Sequence, residues 1–207
     1  MTRVKVCGIT NLVDALAALE AGADMLGFNF YVRSPRYITP AAARSIIEQI
    51  PLGISCVGVF VNESTPAEVE RIAREAGLGS VQLHGDESPE YCQSLHGLQT
   101  IKALRVGADY NVETAVAFDT DAILLDAYVR GERGGTGHTF DWTLAALTRE
   151  RVPKLLLAGG LTPDNVAAAI AAVRPYAVDV CSGVETSPGR KSPELIRRFV
   201  KAVVSSR

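Results

Sequence analysis

Three side chains able to move protons stand at the ends of short apolar runs. Cys7 closes Val4-Lys5-Val6, His84 closes Val81-Gln82-Leu83, and Asp126 closes Ala122-Ile123-Leu124-Leu125. A free thiol ionises near pH 8.5, about one and a half units above neutrality, so modest tuning makes Cys7 a general base. A carboxyl group that is partly buried, as Asp126 would be after four apolar residues, keeps its proton longer and can donate it. Two glycine turns occupy the same kind of position. Gly159-Gly160 follow Lys154-Leu155-Leu156-Leu157-Ala158, and Ser182-Gly183 follow Ala177-Val178-Asp179-Val180-Cys181. Such turns can aim several backbone N–H groups at one anion.

These groups share a face only if the apolar runs are parallel strands. The runs are separated by stretches long enough for a helix, the pattern of a buried parallel sheet. Strands are predicted near 3–7, 24–29, 55–61, 80–83, 99–104, 121–125, 153–158 and 176–181. Helices are predicted near 11–21, 40–49, 65–76, 88–95, 110–118, 141–148, 163–172 and 192–204. Thr39-Pro40, Ser64-Thr65-Pro66, Ser88-Pro89 and Thr162-Pro163-Asp164 each set a hydroxyl cap before a proline that needs no N–H. Glycines after Ala21 and Ala76 mark helix ends. Small or acidic residues before a strand recur at Gly22-Ala23-Asp24 and Asp119-Thr120-Asp121, a weak echo that suits an α/β repeat. Eight alternating pairs favour a single-domain (βα)8 TIM barrel over residues 1–207, with an open doubly wound sheet as the alternative. In a barrel the carboxyl ends of the strands form the active face, and a phosphate site commonly follows strands 7 and 8, helped by a short helix there. The longest connection, about 126–140, is rich in glycine, and loops of that length are usually functional.

Composition narrows the class. The chain has 207 residues, 47% hydrophobic and 21% charged, with net charge −2. That balance argues against broad binding to nucleic acid or to anionic membrane, so an anionic ligand needs locally placed donors. No apolar stretch approaches the roughly 20 residues that span a bilayer. The N-terminus enters Arg3-Val4-Lys5-Val6-Cys7 with no signal-peptide core. Cys7, Cys56, Cys92 and Cys181 form no CxxC pair, which points to reduced thiols and a cytoplasmic location. His84, His96 and His138 have no metal-ligand spacing.

Each candidate has a plainer reading. A cysteine is most often a small buried hydrophobe, an aspartate a cap, and a glycine pair a tight turn. Position at consecutive strand ends favours the chemical reading for Cys7, Asp126 and the two glycine turns.

Taken together in order, Lys5-Val6-Cys7-Gly8-Ile9-Thr10, Ser34-Pro35-Arg36, Gln82-Leu83-His84-Gly85, Gly134-Gly135-Thr136-Gly137, Phe140-Asp141-Trp142, Leu157-Ala158-Gly159-Gly160-Leu161 and Ser182-Gly183-Val184-Glu185 closely resemble the phosphoribosylanthranilate isomerase family of tryptophan biosynthesis. The resemblance spans nearly the whole chain. It implies an Amadori rearrangement without cofactor or metal, acting on a small phosphosugar. By it, Asp126 is the general acid at the furanose ring oxygen and Cys7, as thiolate, the base at C2′. Arg36 would hold the anthranilate carboxylate, and His84 would contact a substrate hydroxyl or serve to orient the site. Gly159, Gly160, Ser182 and Gly183 would hold the phosphate. Asp179 reads as structural, and Asp141 as a residue near the cap of the sixth helix. The family often carries serine where this chain has Cys181, which sets a second thiol beside the site. The expected assembly is a monomer or weak homodimer.

Two rival enzymes share the barrel. The histidine-pathway aminoaldose isomerase uses carboxylates for both acid and base, against Cys7. Indole-glycerol-phosphate synthase needs a Lys/Glu set where this chain offers Cys7, Asn29 and Asn62. A silent phosphosugar-binding protein would not keep Cys7, Asp126 and Arg36 together.

Overall fold

The computed structural model describes residues 1–107, 110–126 and 142–206. Eight parallel strands close into a barrel in chain order: β1 (Arg3–Val6), β2 (Met25–Asn29), β3 (Ser55–Phe60), β4 (Ser80–Leu83), β5 (Gln99–Arg105), β6 (Ala122–Asp126), β7 (Leu155–Ala158) and β8 (Ala177–Val180). β8 pairs back onto β1 with Lys5 beside Asp179, so the sheet has no edge and the open-sheet alternative is removed. Helices α1 (Leu12–Ala21), α2 (Pro40–Ile47), α3 (Pro66–Ala76), α4 (Pro89–Gln93), α5 (Val112–Val116), α6 (Thr143–Arg151), α7 (Val166–Val173) and α8 (Pro193–Ser205) follow the strands in turn. Among the described residues, no helix is long and apolar enough to cross a membrane.

The strands divide their side chains between two interiors. One set, with Leu26, Phe28, Phe60 and Leu125, packs outward against helix residues such as Ala73 and Phe199. The other fills the barrel, with Met25, Val57, Leu124 and Leu156 among its members. Because side chains alternate along a strand, the inward residue two positions further on lies nearer the carboxyl end. Thus Lys5 is followed inward by Cys7, Gln82 by His84, Leu124 by Asp126, and Asp179 by Cys181. The period of two delivers the reactive groups to the barrel mouth.

Most expected caps are present. Thr39, Thr65 and Ser88 accept hydrogen bonds from the N–H groups of Ala42, Glu68 and Tyr91, each with proline opening the helix. The expected start at Thr162-Pro163-Asp164 is wrong. Residues 163–165 form turns and α7 begins at Val166. The Asn165 side chain accepts from Thr162 N (2.8 Å) and donates to Gly160 O (3.0 Å), so it braces the turn after β7 instead of capping a helix. α4 and α5 are only five residues each, shorter than the expected 88–95 and 110–118. α6 runs to Arg151 instead of 148. A hairpin that no sequence pattern announced follows β8: a 3-10 turn at Ser182–Val184, then antiparallel β9 (Glu185–Ser187) and β10 (Arg190–Lys191). The glycine loop beyond Asp126, and Asp141 with it, lies outside the described residues.

Candidate active site

At the carboxyl ends of the strands the described residues line a cavity of about 260 Å³. Cys7, Arg36, His84 and Asp126 all reach it. The two glycine turns form another part of its wall, contributing Gly159 and Gly160 after β7, and Ser182 and Gly183 after β8. The eight sequence candidates therefore meet in one place.

Cys7 directly follows β1, its N–H bonded to Val180 O at 2.9 Å. Gly27, the inward residue of β2, leaves room for it: a Cβ there would stand 2.7 Å from the Cys7 sulfur. The thiol is buried and hydrogen-bonded by Cys181. That bond, with the charges of Lys5 and Lys191, outweighs burial and holds Cys7 well below the ordinary thiol range. Cys181 is pushed the other way, by its hydrogen bond to Cys7 and by burial. Within the pair the negative charge is favoured on Cys7 and disfavoured on Cys181.

Beneath them Lys5 lies fully buried inside the barrel, its ammonium donating to Asp179 Oδ1 at 3.1 Å and Gln82 Oε1 at 3.0 Å. Burial opposes the charge of Lys5, yet Asp179 and Cys7 together raise it above the ordinary lysine range. Burial pushes Asp179 up to about 6 despite the pull of Lys5, and the Cys7 charge adds to the rise. The two shifts differ because Lys5 has two anionic neighbours, whereas Asp179 has a cation on one side and an anion on the other. Asp179 bonds Lys5 in the barrel interior and also reaches the lining of the cavity.

Asp126 ends β6, which lies beyond β8 and β7 around the ring from β1. Its Oδ2 lies 3.2 Å from His84 Nε2, and His84 Nδ1 lies 2.8 Å from Gln82 Nε2. The turn that carries His84 is braced from below. Lys102, buried, donates to Gly85 O (2.7 Å), Leu83 O (3.3 Å) and Glu87 Oε2 (2.6 Å), while Glu87 accepts from the N–H groups of Asn62 and Gly85.

Arg36 reaches the cavity from the segment between β2 and α2. Glu185 grips its Nε and Nη2, with contacts of 2.9, 3.1 and 2.6 Å. Lys191 donates to the same carboxylate at 2.9 Å and to Cys181 O at 3.2 Å. Burial works against the Glu185 charge, but Arg36 and Lys191 outweigh it and lower its pKa. At the wall formed by the two glycine turns, Gly159 and Gly160 adopt φ of 91° and 62°, which side chains disfavour. Gly183 packs so closely on the Leu161 carbonyl that a Cβ would overlap it.

Sequence reasoning missed Lys5, Gln82, Glu185 and Lys191 as parts of the site. A lysine and a glutamine inside apolar runs were the available signal for the first two. The last two sit on the unannounced hairpin.

A closed (βα)8 barrel whose strand ends gather a thiol, a carboxyl group, an imidazole and two glycine turns around one cavity defines a barrel enzyme built for acid–base chemistry. A family model of N-(5'-phosphoribosyl)anthranilate (PRA) isomerase matches residues 4–202. The N-(5'-phosphoribosyl)anthranilate isomerase of Citrifermentans bemidjiense is 52% identical over 200 residues, 97% of this chain and 96% of that protein. The crystal structure of the Thermotoga maritima isomerase superposes with a TM-score of 0.92 at 47% identity, over 99% of this chain and 100% of that one. Another such isomerase was solved with reduced 1-(o-carboxyphenylamino)-1-deoxyribulose 5-phosphate bound, at 45% identity and a TM-score of 0.89, with 99% and 100% coverage. The chain belongs to the N-(5'-phosphoribosyl)anthranilate isomerase family and is an isomerase of tryptophan biosynthesis.

Proposed function

We propose that the chain converts N-(5'-phosphoribosyl)anthranilate to 1-(2-carboxyphenylamino)-1-deoxyribulose 5-phosphate by an acid–base Amadori rearrangement. The observation that carries this reading is that Cys7 and Asp126 face one cavity from different sectors of the barrel. Asp126 protonates the furanose ring oxygen, and the ring opens to a Schiff base. The Cys7 thiolate then removes the proton at C2′. The resulting enolamine takes up a proton at C1′ while its C2′ hydroxyl gives one up and becomes the ketone, so the rearrangement is a net isomerisation. Each placed acid or base is worth about 10²–10⁴-fold in rate.

The remaining lining fits the two ends of this substrate. Glu185 occupies the Nε and Nη2 side of Arg36, and the donors on Nη1 suit the anthranilate carboxylate. The turns at Gly159-Gly160 and Ser182-Gly183 take the phosphate, where barrels of this kind commonly hold one. A bound analogue of the product in a relative supports a phosphosugar ligand. Catalysis by a free thiolate suits a reducing compartment, and we assign the chain to the cytoplasm. A Thermotoga maritima relative is dimeric, with monomers generated from it; for this chain we propose a monomer or weak homodimer.

The test follows the fluorescence of phosphoribosylanthranilate generated in situ. Wild type should consume it rapidly, and Cys7→Ala and Asp126→Asn should each lower kcat by about 10²–10⁴-fold with modest change in KM. Near-native turnover in either variant removes that residue from its role.

A further inference from the structure

The His84 ring is engaged at both nitrogens, by Gln82 on one side and Asp126 on the other. Which nitrogen carries the proton is decided two residues away. Lys5 is fully buried, and its ammonium, which can only donate, bonds Gln82 Oε1 at 3.0 Å. The Gln82 amide therefore turns its NH2 toward His84. That group also only donates, so Nδ1 accepts, and an Nδ1–H would point hydrogen at hydrogen. The ring proton belongs on Nε2, directed at Asp126 Oδ2.

We propose that Gln82 is a positioning residue for the acid step: Lys5 sets its amide, the amide sets His84 as the Nε2–H tautomer, and that N–H holds Asp126. When Asp126 gives up a proton as the acid, Oδ2 already has a donor for the charge that develops. Gln82 is 1% exposed, so water does not compete for its amide, and Asp179 fixes Lys5 from the opposite side. The chain of bonds runs from β8 through β1 and β4 to β6, tying the acid to the same lysine that neighbours Cys7. The role rests on Asp126 being the acid, but the tautomer assignment does not.

The test reads the tautomer in the intact wild-type protein. With 15N-labelled histidine, two-bond proton–nitrogen correlation spectra distinguish bare from protonated ring nitrogens, and His84→Gln identifies the His84 signals among the three histidines. Wild type should show a bare Nδ1 and a protonated Nε2. In Gln82→Glu a carboxylate acceptor replaces the amide NH2, so the proton moves to Nδ1. The same variant should lose about 10- to 100-fold in kcat, a share of what a placed acid supplies, with KM changed less than about threefold. Gln82→Met, which neither donates nor accepts strongly, should show mixed tautomers and an intermediate kcat. A wild-type ring protonated on Nδ1 overturns the proposal, as does Gln82→Glu with wild-type tautomer and turnover. Retained turnover in Asp126→Asn with the tautomer as assigned removes the acid and this role together, whereas a wrong tautomer removes this role alone.

Discussion

The Cys7 sulfur fills the space where a side chain on Gly27 would stand, with only 2.7 Å between it and an added Cβ. The inward position of β2 is therefore kept empty for the thiol of β1. Gly27→Ala should cost about 1–3 kcal/mol of stability through overpacking, visible in a urea titration. The larger effect is expected on kcat, since a displacement of about 1 Å in a reacting group can cost 100-fold. A folded Gly27→Ala enzyme with native kcat would show that the thiol position tolerates movement.

Thiolate formation at Cys7 sets one limb of the pH dependence. Its pKa is lowered first by the Cys181 hydrogen bond and then by Lys5 and Lys191, so the reactive form persists below the ordinary thiol range. Inactivation by iodoacetamide should continue as pH falls and stop only when pH drops through that lowered pKa; kcat/KM should decline over the same interval. Cys181→Ala removes the donor and should shift both the inactivation and the kcat/KM profiles to higher pH, whereas Cys181→Ser keeps a donor and should leave most of the effect. A wild-type profile rising only near pH 8.5, about the value of a free thiol, contradicts a preformed thiolate.

Arg36 should act on binding more than on turnover. Glu185 keeps Lys191 as a partner if Arg36 is replaced, so the hairpin retains an ion pair. Arg36→Met should raise KM about 10- to 100-fold, the equivalent of one or two charge-assisted hydrogen bonds, with kcat changed far less. Steady-state kinetics decide it, and an unchanged KM would take the anthranilate contact away from Arg36.

The Lys102–Glu87 pair, with both side chains buried, braces the turn that presents His84. Removing one partner strands the other charge, and Lys102→Met should lower stability by about 3–5 kcal/mol in chemical denaturation. Substituting Met for Lys102 and Leu for Glu87 together should recover much of that loss, because neither charge is then left alone. A double-variant loss equal to the sum of the two single losses would show that the pair is not coupled.

Much of the site was legible before folding because strands alternate their side chains. Cys7, His84 and Asp126 could be read as strand-end residues from apolar runs alone, and the barrel turned each of them toward one cavity. The turn prolines read correctly at Thr39, Thr65 and Ser88, since a hydroxyl cap and a fixed φ are local properties. The same reasoning failed at Thr162, where Asn165 found better partners in the turn behind it. Local pattern does not reveal which competing bond a folded turn will favour.

The sequence by itself determined the strand ends, the parity that points them inward and the supply of an acid, a base and two glycine turns. Tertiary structure decided their partners. Lys5 and Asp179 are 174 positions apart and meet only because β8 closes on β1. Arg36 and Glu185, 149 apart, meet only when the hairpin after β8 folds over the barrel mouth. Hydrogen bonds and charges act over a few ångströms, so the lowered pKa of Cys7, the grip on Arg36 and the orientation of His84 exist only once the ring is closed.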